Sequence, residues 1–244
     1  MKVKIVSWNI HKGFNFANTK FILEQIRELL RETKADILFL QEVVGENKKH
    51  ALNLNQWPSE GQFEFLADQN WDFQAYGKNA VWTDRHHGNA ILSKFEILKS
   101  ENIDLTVNKF EYRGLLHAVL DIEGKSVDLF NVHLNLLHKH RLLQVEQIIE
   151  RALTSLNSDI LILGGDFNDW TGSVSHMLED RIGLSEVFLL SNGAHARTFP
   201  SFMPLLPLDR VYFKGASLIH CEVLKNSEFK YLSDHLPVMV EFEI

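Results

Sequence analysis

The chain has 244 residues, 45% hydrophobic and 23% charged, enough for one sizeable core and consistent with a single domain spanning 1–244. A net charge of −7 and a pI near 5.9 remove the global basic character of proteins that live on non-specific nucleic-acid binding, although a local basic cleft stays open. No run of 18 apolar residues exists, so no transmembrane segment is expected, and the N-terminus reads as a strand rather than a signal peptide. The single Cys221 excludes a disulfide framework and suits a reducing, cytoplasmic compartment, and nothing calls for a protein partner.

In chain order, Val3-Lys4-Ile5-Val6-Ser7-Trp8-Asn9-Ile10-His11 opens as a strand. A helix follows, with Asn18-Thr19 as its expected cap and Ile22, Ile26, Leu29 and Leu30 at helical spacing. A buried strand, Asp36 to Glu42, comes next, then a long connection over 43–60 that covers surface or borders the cleft. Further strands are expected at 73–76, 89–93 and 115–122. The opening pattern then returns: a strand ending Asn131-Val132-His133, a helix carrying Leu142, Val145, Ile149, Ala152 and Leu156, and a strand from Asp159 to Asp166. Strands at 208–213 and 236–242 close the chain. Runs rich in Ile, Leu and Val suit strands covered on both faces. The expected architecture is α/β (α+β): two mixed sheets packed face to face with helices outside, formed by two similar halves with polar residues along one rim.

Those polar residues carry a definite chemistry. Glu42 reads as a ligand for Mg²⁺ or Mn²⁺, which prefer oxygen donors, or as a solvated strand end; Asn9 and Asp234 strengthen the metal reading. In Gly165-Asp166-Phe167-Asn168, Asp166 can accept a proton from an attacking water that Asn168 orients, although an ordinary Asx-turn has the same composition. Asp209 and His235 suit a carboxylate–imidazole pair, with His133 as a second donor and Asn131 beside it. No role is attached to His50, His176, His195 or His220.

Trp8-Asn9-Ile10, Leu40-Gln41-Glu42-Val43, Asn131-Val132-His133-Leu134, Gly165-Asp166-Phe167-Asn168, Leu208-Asp209-Arg210 and Ser233-Asp234-His235-Leu236-Pro237 together resemble the endonuclease/exonuclease/phosphatase superfamily, in family order and across almost the whole chain. The similarity is greatest to a small bacterial subgroup of poorly defined substrate. The resemblance implies a four-layer αββα sandwich of the DNase I-like kind and a Mg²⁺-dependent phosphoesterase, with Mn²⁺ a possible substitute. It implies Glu42, Asn9 and Asp234 as metal ligands, Asp166 and Asn168 at the water, Asp209 orienting His235, and His133 with Asn131 on the phosphate.

One position departs from the pattern. His11 stands where abasic-site nucleases of the superfamily have an acid, which puts a second-metal arrangement in doubt. His11, Lys12, Arg85, His86, His87 and Arg113 read either as a basic collar for an anionic substrate, with His11, His87 and Arg113 foremost, or as solvated loop residues. Three functions compete: a nuclease acting on DNA, a phosphodiesterase for a phospholipid headgroup or small molecule, and a catalytically silent phosphate-binding module. The apolar segment 199–208 bears on the second, and its expected role is to cap the core.

Overall fold

The structure is a computed structural model that describes residues 1–156 and 158–244. Its strands are, in chain order, β1 (Lys2–Asn9), β2 (Ile37–Asn47), β3 (Phe73–Val81), β4 (Arg85–Ser93), β5 (Ile97–Asp104) and β6 (Gly114–Ile122). Then come β7 (Lys125–His133), β8 (Ile160–Asp166), β9 (Ser185–Glu186), β10 (Asp209–Lys214), β11 (Ser217–Val223) and β12 (Val238–Glu243). They form two six-stranded sheets, ordered β11-β12-β1-β2-β4-β3 and β5-β6-β7-β8-β10-β9. The helices are α1 (Leu23–Glu32), α2 (Lys48–Asn53), α3 (Gln62–Ala67), α4 (His138–Ser155), α5 (Ser173–Ile182), α6 (Val187–Asn192) and α7 (Phe229–Leu232).

Three apolar layers explain the uninterrupted hydrophobic strands. Ile37 and Phe39 of β2 face inward with Leu116, Leu129, Val211 and Phe242, filling the space between the sheets. Leu38 and Leu40 alternate to the other face, under Ile26 and Leu30 of α1. On the second sheet Phe130, Val132, Leu161 and Leu163 meet Val145 and Ile148 of α4. The repeated halves are real: β1 and β2 run parallel around α1, and β7 and β8 run parallel around α4.

Some expectations change. Asn18-Thr19 do not cap α1, which starts at Leu23 after Ile22 with no side-chain cap. Asn15 accepts from the backbone of Thr19 and Lys20 instead, closing a turn that the Phe14–Phe21 bridge completes. Strand β2 does not stop at Glu42; it bulges between Leu40 and Val43 and runs to Asn47, so 43–60 is part strand and part α2. Strands β5 and β11, largely exposed, lack the apolar signature that marks the buried strands.

The change with most consequence concerns Asn131. It is fully buried and makes no approach to the cleft. Its amide donates to the carbonyls of Leu40 and Ala90, at 3.0 and 2.8 Å, and its oxygen accepts from Gln41 at 2.8 Å. Leu40 and Ala90 are the last pair before the β2 bulge opens the ladder, so a side chain from the second sheet occupies a gap in the first. Asn89 Nδ2 returns the link to the Gly114 and Asn131 carbonyls. Both of Asn131's donors are committed, which removes it from the phosphate. Replacing Asn131 with Ala strands buried polar groups and should cost about 2–3 kcal/mol in urea denaturation; a loss near zero would refute the cross-sheet role.

Candidate active site

The carboxyl ends of β1, β7 and β8 share one rim with the β2 bulge. Asn9 closes β1, Glu42 lies in the β2 bulge, His133 ends β7 and Asp166 ends β8. Asp209 opens β10 directly opposite Asp166. The loop between α7 and β12 brings Asp234 and His235, fixed from below by Trp8 Nε1 on the His235 carbonyl at 2.9 Å and Ser233 Oγ on the Asn9 carbonyl at 2.6 Å. Gly165 makes the turn possible: its φ is +140°, and a Cβ there would collide with the Val132 carbonyl oxygen. Arg210 pairs with Asp169 at 3.2 Å and steadies the loop beyond Asp166.

Asp166 is the hub. Its Oδ2 receives Asn9 Nδ2 at 3.1 Å and lies 3.4 Å from His133 Nε2 and 3.7 Å from His235 Nε2. Its Oδ1 accepts the Asn168 backbone N–H at 3.0 Å, while Asn168 Nδ2 donates to the Leu134 carbonyl. Asp209 Oδ2 accepts from Thr198 Oγ1 at 2.5 Å and contacts His235 Nδ1 at 2.8 Å. Phe199 packs on the His235 ring, with centroids 4.9 Å apart.

These contacts set the charges. Burial opposes a charge on His235, but the Asp209 and Asp166 carboxylates outweigh it and raise the imidazole above its ordinary value. Burial raises Asp166, with Asp209 adding to the rise and His235 opposing it. Burial, reinforced by Arg113, holds His133 well below the ordinary range and so neutral. Glu42 is only partly buried, and Lys12, His133 and His11 hold it below the usual carboxylate range against the desolvation that raises it.

Glu42 has the features of a cation ligand. Its Oε2 is buried without a hydrogen-bond partner, and the Lys12 ammonium lies 3.0 Å away as an ion pair rather than an aligned bond. Asn9 Oδ1 accepts only the His11 N–H, and Asp234 Oδ1 lies 3.6 Å from His11 Nδ1. His11, Lys12 and Glu42 all hold positive φ, at 47°, 57° and 56°, backbone strain gathered at one spot. A carboxylate balanced by a displaceable lysine and set among oxygen donors fits Mg²⁺ or Mn²⁺. Asp166, Asp209 and His235 also bring three ligand-type atoms within 4.8 Å of one another, but Asp209 and His235 are already bonded together.

The collar expected from sequence divides. His11 faces Asp234 and not the outer rim. Arg113 pairs with Glu111 at 3.4 Å and acts on His133 through its charge. His87 lines a cavity with Lys12, Arg85 and His86. Sequence reasoning missed Thr198, because an isolated threonine carries no pattern, and it missed the Lys12–Glu42 pair, which needs the turn at His11. The segment 199–208 does not simply cap the core: Phe202, Met203 and Leu205 are 53%, 54% and 51% exposed.

The endonuclease/exonuclease/phosphatase family model matches residues 6–235, and the chain belongs to that family of phosphoester hydrolases. It is 41% identical over 243 residues to "Uncharacterized protein YbhP" of Escherichia coli K12, covering 99% of this chain and 96% of that protein. Among solved structures, an endonuclease/exonuclease/phosphatase from Bacteroides vulgatus superposes with a TM-score of 0.78 at 18% identity, covering 100% and 99% of the two chains. D. rerio TDP2 complexed with single-strand DNA product gives 0.73 at 19%, with the same coverage. Both share the two-sheet fold.

Exchanging Asp209 for Asn keeps the shape but removes the charge that supports the imidazolium. NMR titration of His235 should show its proton lost at lower pH than in the unaltered chain, and turnover of a phosphodiester should fall about 10²-fold or more. An unchanged titration would refute the pairing.

Proposed function

We propose that the protein is a Mg²⁺-dependent phosphodiesterase in which Glu42, Asn9 and Asp234 hold the cation, with Mn²⁺ a working substitute. The observation that carries the reading is Asp166, which sits within reach of two imidazoles and an amide on the rim that also holds the Lys12-paired Glu42. Bound Mg²⁺ supplies Lewis-acid neutralisation of phosphate oxygens. Asp166, raised by burial, aligns a water and takes its proton, while Asn168 braces the Asp166 turn. His235, kept charged by Asp209, donates to a phosphoryl oxygen. His133, kept neutral, offers one N–H from the opposite wall. A silent phosphate-binding module would have no need of a base, a charged imidazole and a Lys12-paired carboxylate in one crevice.

The substrate has two readings. The fold shared with TDP2, seen with a DNA product, favours a nuclease. The exposed Phe202, Met203 and Leu205 favour a phospholipid headgroup: Phe16 joins them, 5.9 Å from the Phe202 ring, and Tyr231 packs on Phe16. The loops 13–22 and 195–208 that meet there carry Lys20 and Arg197 and no carboxylate, while α7 adds Lys230 between Glu228 and Asp234. No helix among the described residues is long and apolar enough to cross a membrane, so contact would be interfacial.

Hydrolysis of bis-p-nitrophenyl phosphate with Mg²⁺ or Mn²⁺ should be abolished by EDTA, and Glu42→Ala should raise the half-saturating metal concentration about tenfold or more. Turnover indifferent to EDTA would contradict the metal assignment. For the lipid reading, the protein should co-sediment with anionic liposomes and Phe202→Asp should release it. No sedimentation of either form would leave the nuclease reading alone.

A further inference from the structure

Beside Glu42 lies a cavity of about 420 Å³ whose charged and imidazole lining is all of one kind: Lys12, Lys49, Arg85, His50, His86 and His87. Among the described residues no carboxylate lines it. Acids stand at its border: Glu42 3.0 Å from Lys12, Asp84 3.8 Å from Arg85, and Glu46, whose charge acts on His86. On a chain of net charge −7 this is a local reversal of sign.

The backbone is shaped to make it. His86 and His87 are consecutive on β4, and consecutive strand residues face opposite sides. Here both reach one cavity, and both strands flanking β4 bulge at this point: β2 between Val44 and Glu46, β3 between Lys78 and Ala80. Bulges re-aim side chains in this way. Gly45, the extra residue of the β2 bulge, leaves room for His86, since a Cβ there would collide with the imidazole. The ring is held by the Tyr76 hydroxyl at 3.1 Å from Nδ1. Trp82 braces the rest, with its ring 5.6 Å from that of His87 and the Arg85 guanidinium 4.8 Å above it. Burial, with Lys12, keeps His87 down at about 4, and burial lowers His86 and His50, so the standing charge is that of Lys49 and Arg85, with Lys12 shared with Glu42.

We propose that this cavity receives a second phosphate of the substrate, next to the phosphate being cleaved. Lys12 joins the two places: it lines the cavity, and its ammonium is 3.0 Å from Glu42. An anion seated against Lys49 and Arg85 therefore lies beside the cleaved group, on the first-sheet side of the cleft. The inference rests on the phosphodiesterase reading and narrows it to substrates with two phosphates. These come from either of two sources, a neighbouring nucleotide or a phosphorylated polyol headgroup.

Two ester pairs distinguish the sources: thymidine 5′-(p-nitrophenyl phosphate) with and without a 3′-phosphate, and glycerophosphoinositol with and without a 4-phosphate. In at least one pair the second phosphate should lower KM about tenfold or more. The Lys49→Ala/Arg85→Ala double variant should bring that ratio to about one. Calorimetry of thymidine 3′,5′-bisphosphate against thymidine 5′-monophosphate, and of inositol 1,4-bisphosphate against inositol 1-phosphate, reads the same ratio without turnover. If no ester is cleaved but the calorimetric ratio holds and is lost in the variant, the hydrolase reading fails and the anion site stands. Ratios near one in both pairs, or a ratio that survives in the variant, would overturn the proposal.

Discussion

The site depends on two sheets being held in fixed register at their rim. Glu42 and Asn9 belong to one sheet, His133, Asp166 and Asp209 to the other, and apolar packing alone would allow the sheets to slide by fractions of an ångström. The Asn131 amide removes that freedom. It is seated in the gap beneath the β2 bulge, two residues from His133 along its own strand and bonded to the Leu40 carbonyl, two residues from Glu42 on the facing one. A buried amide tolerates little displacement, because each lost bond leaves a polar group dry. The bulge thus serves twice: it turns Glu42 outward with φ of 56° and exposes the carbonyls that the opposite sheet grips.

Charge balance follows from that register. Asp166 and Asp209 both lie where carboxylates are costly, and His235 sits close to each of them. One imidazolium thereby supports two acids, and Thr198 completes the set from the loop before β10. Burial drives His133 to the opposite state from His235. Two histidines of different protonation thus face one carboxylate, a charged imidazole on one wall and a neutral one on the other.

Much of this is legible in the chain. The strand–helix–strand rhyme announces two parallel pairs, and the six short motifs hold Asn9, Glu42, His133, Asp166, Asp209, Asp234 and His235 but neither Thr198 nor Lys12, because strand ends and turns leave local traces in residue type. Asn131 falls in the expected neighbourhood but bonds the opposite sheet rather than a phosphate. An asparagine beside a site histidine looks the same in sequence whether its amide faces a ligand or the facing sheet. The Asn18-Thr19 cap fails because Asn15 competes for the same backbone groups. Strands β5 and β11 leave no signal, since edge strands exposed to water need no apolar alternation. The basic cavity lies beyond local reading, because it takes two bulges on separate strands to bring His86 and His87 to one side.

The central claim is that Glu42, Asn9 and Asp234, all carried by the first sheet, hold one cation beside Asp166 of the second. Anomalous diffraction from a crystal soaked in Mn²⁺ tests it most directly. The account predicts one strong peak bounded by Glu42, Asn9 and Asp234, with the Lys12 ammonium displaced from Glu42. A peak seated among Asp166, Asp209 and His235 instead, or none near Glu42 at saturating Mn²⁺, would contradict it.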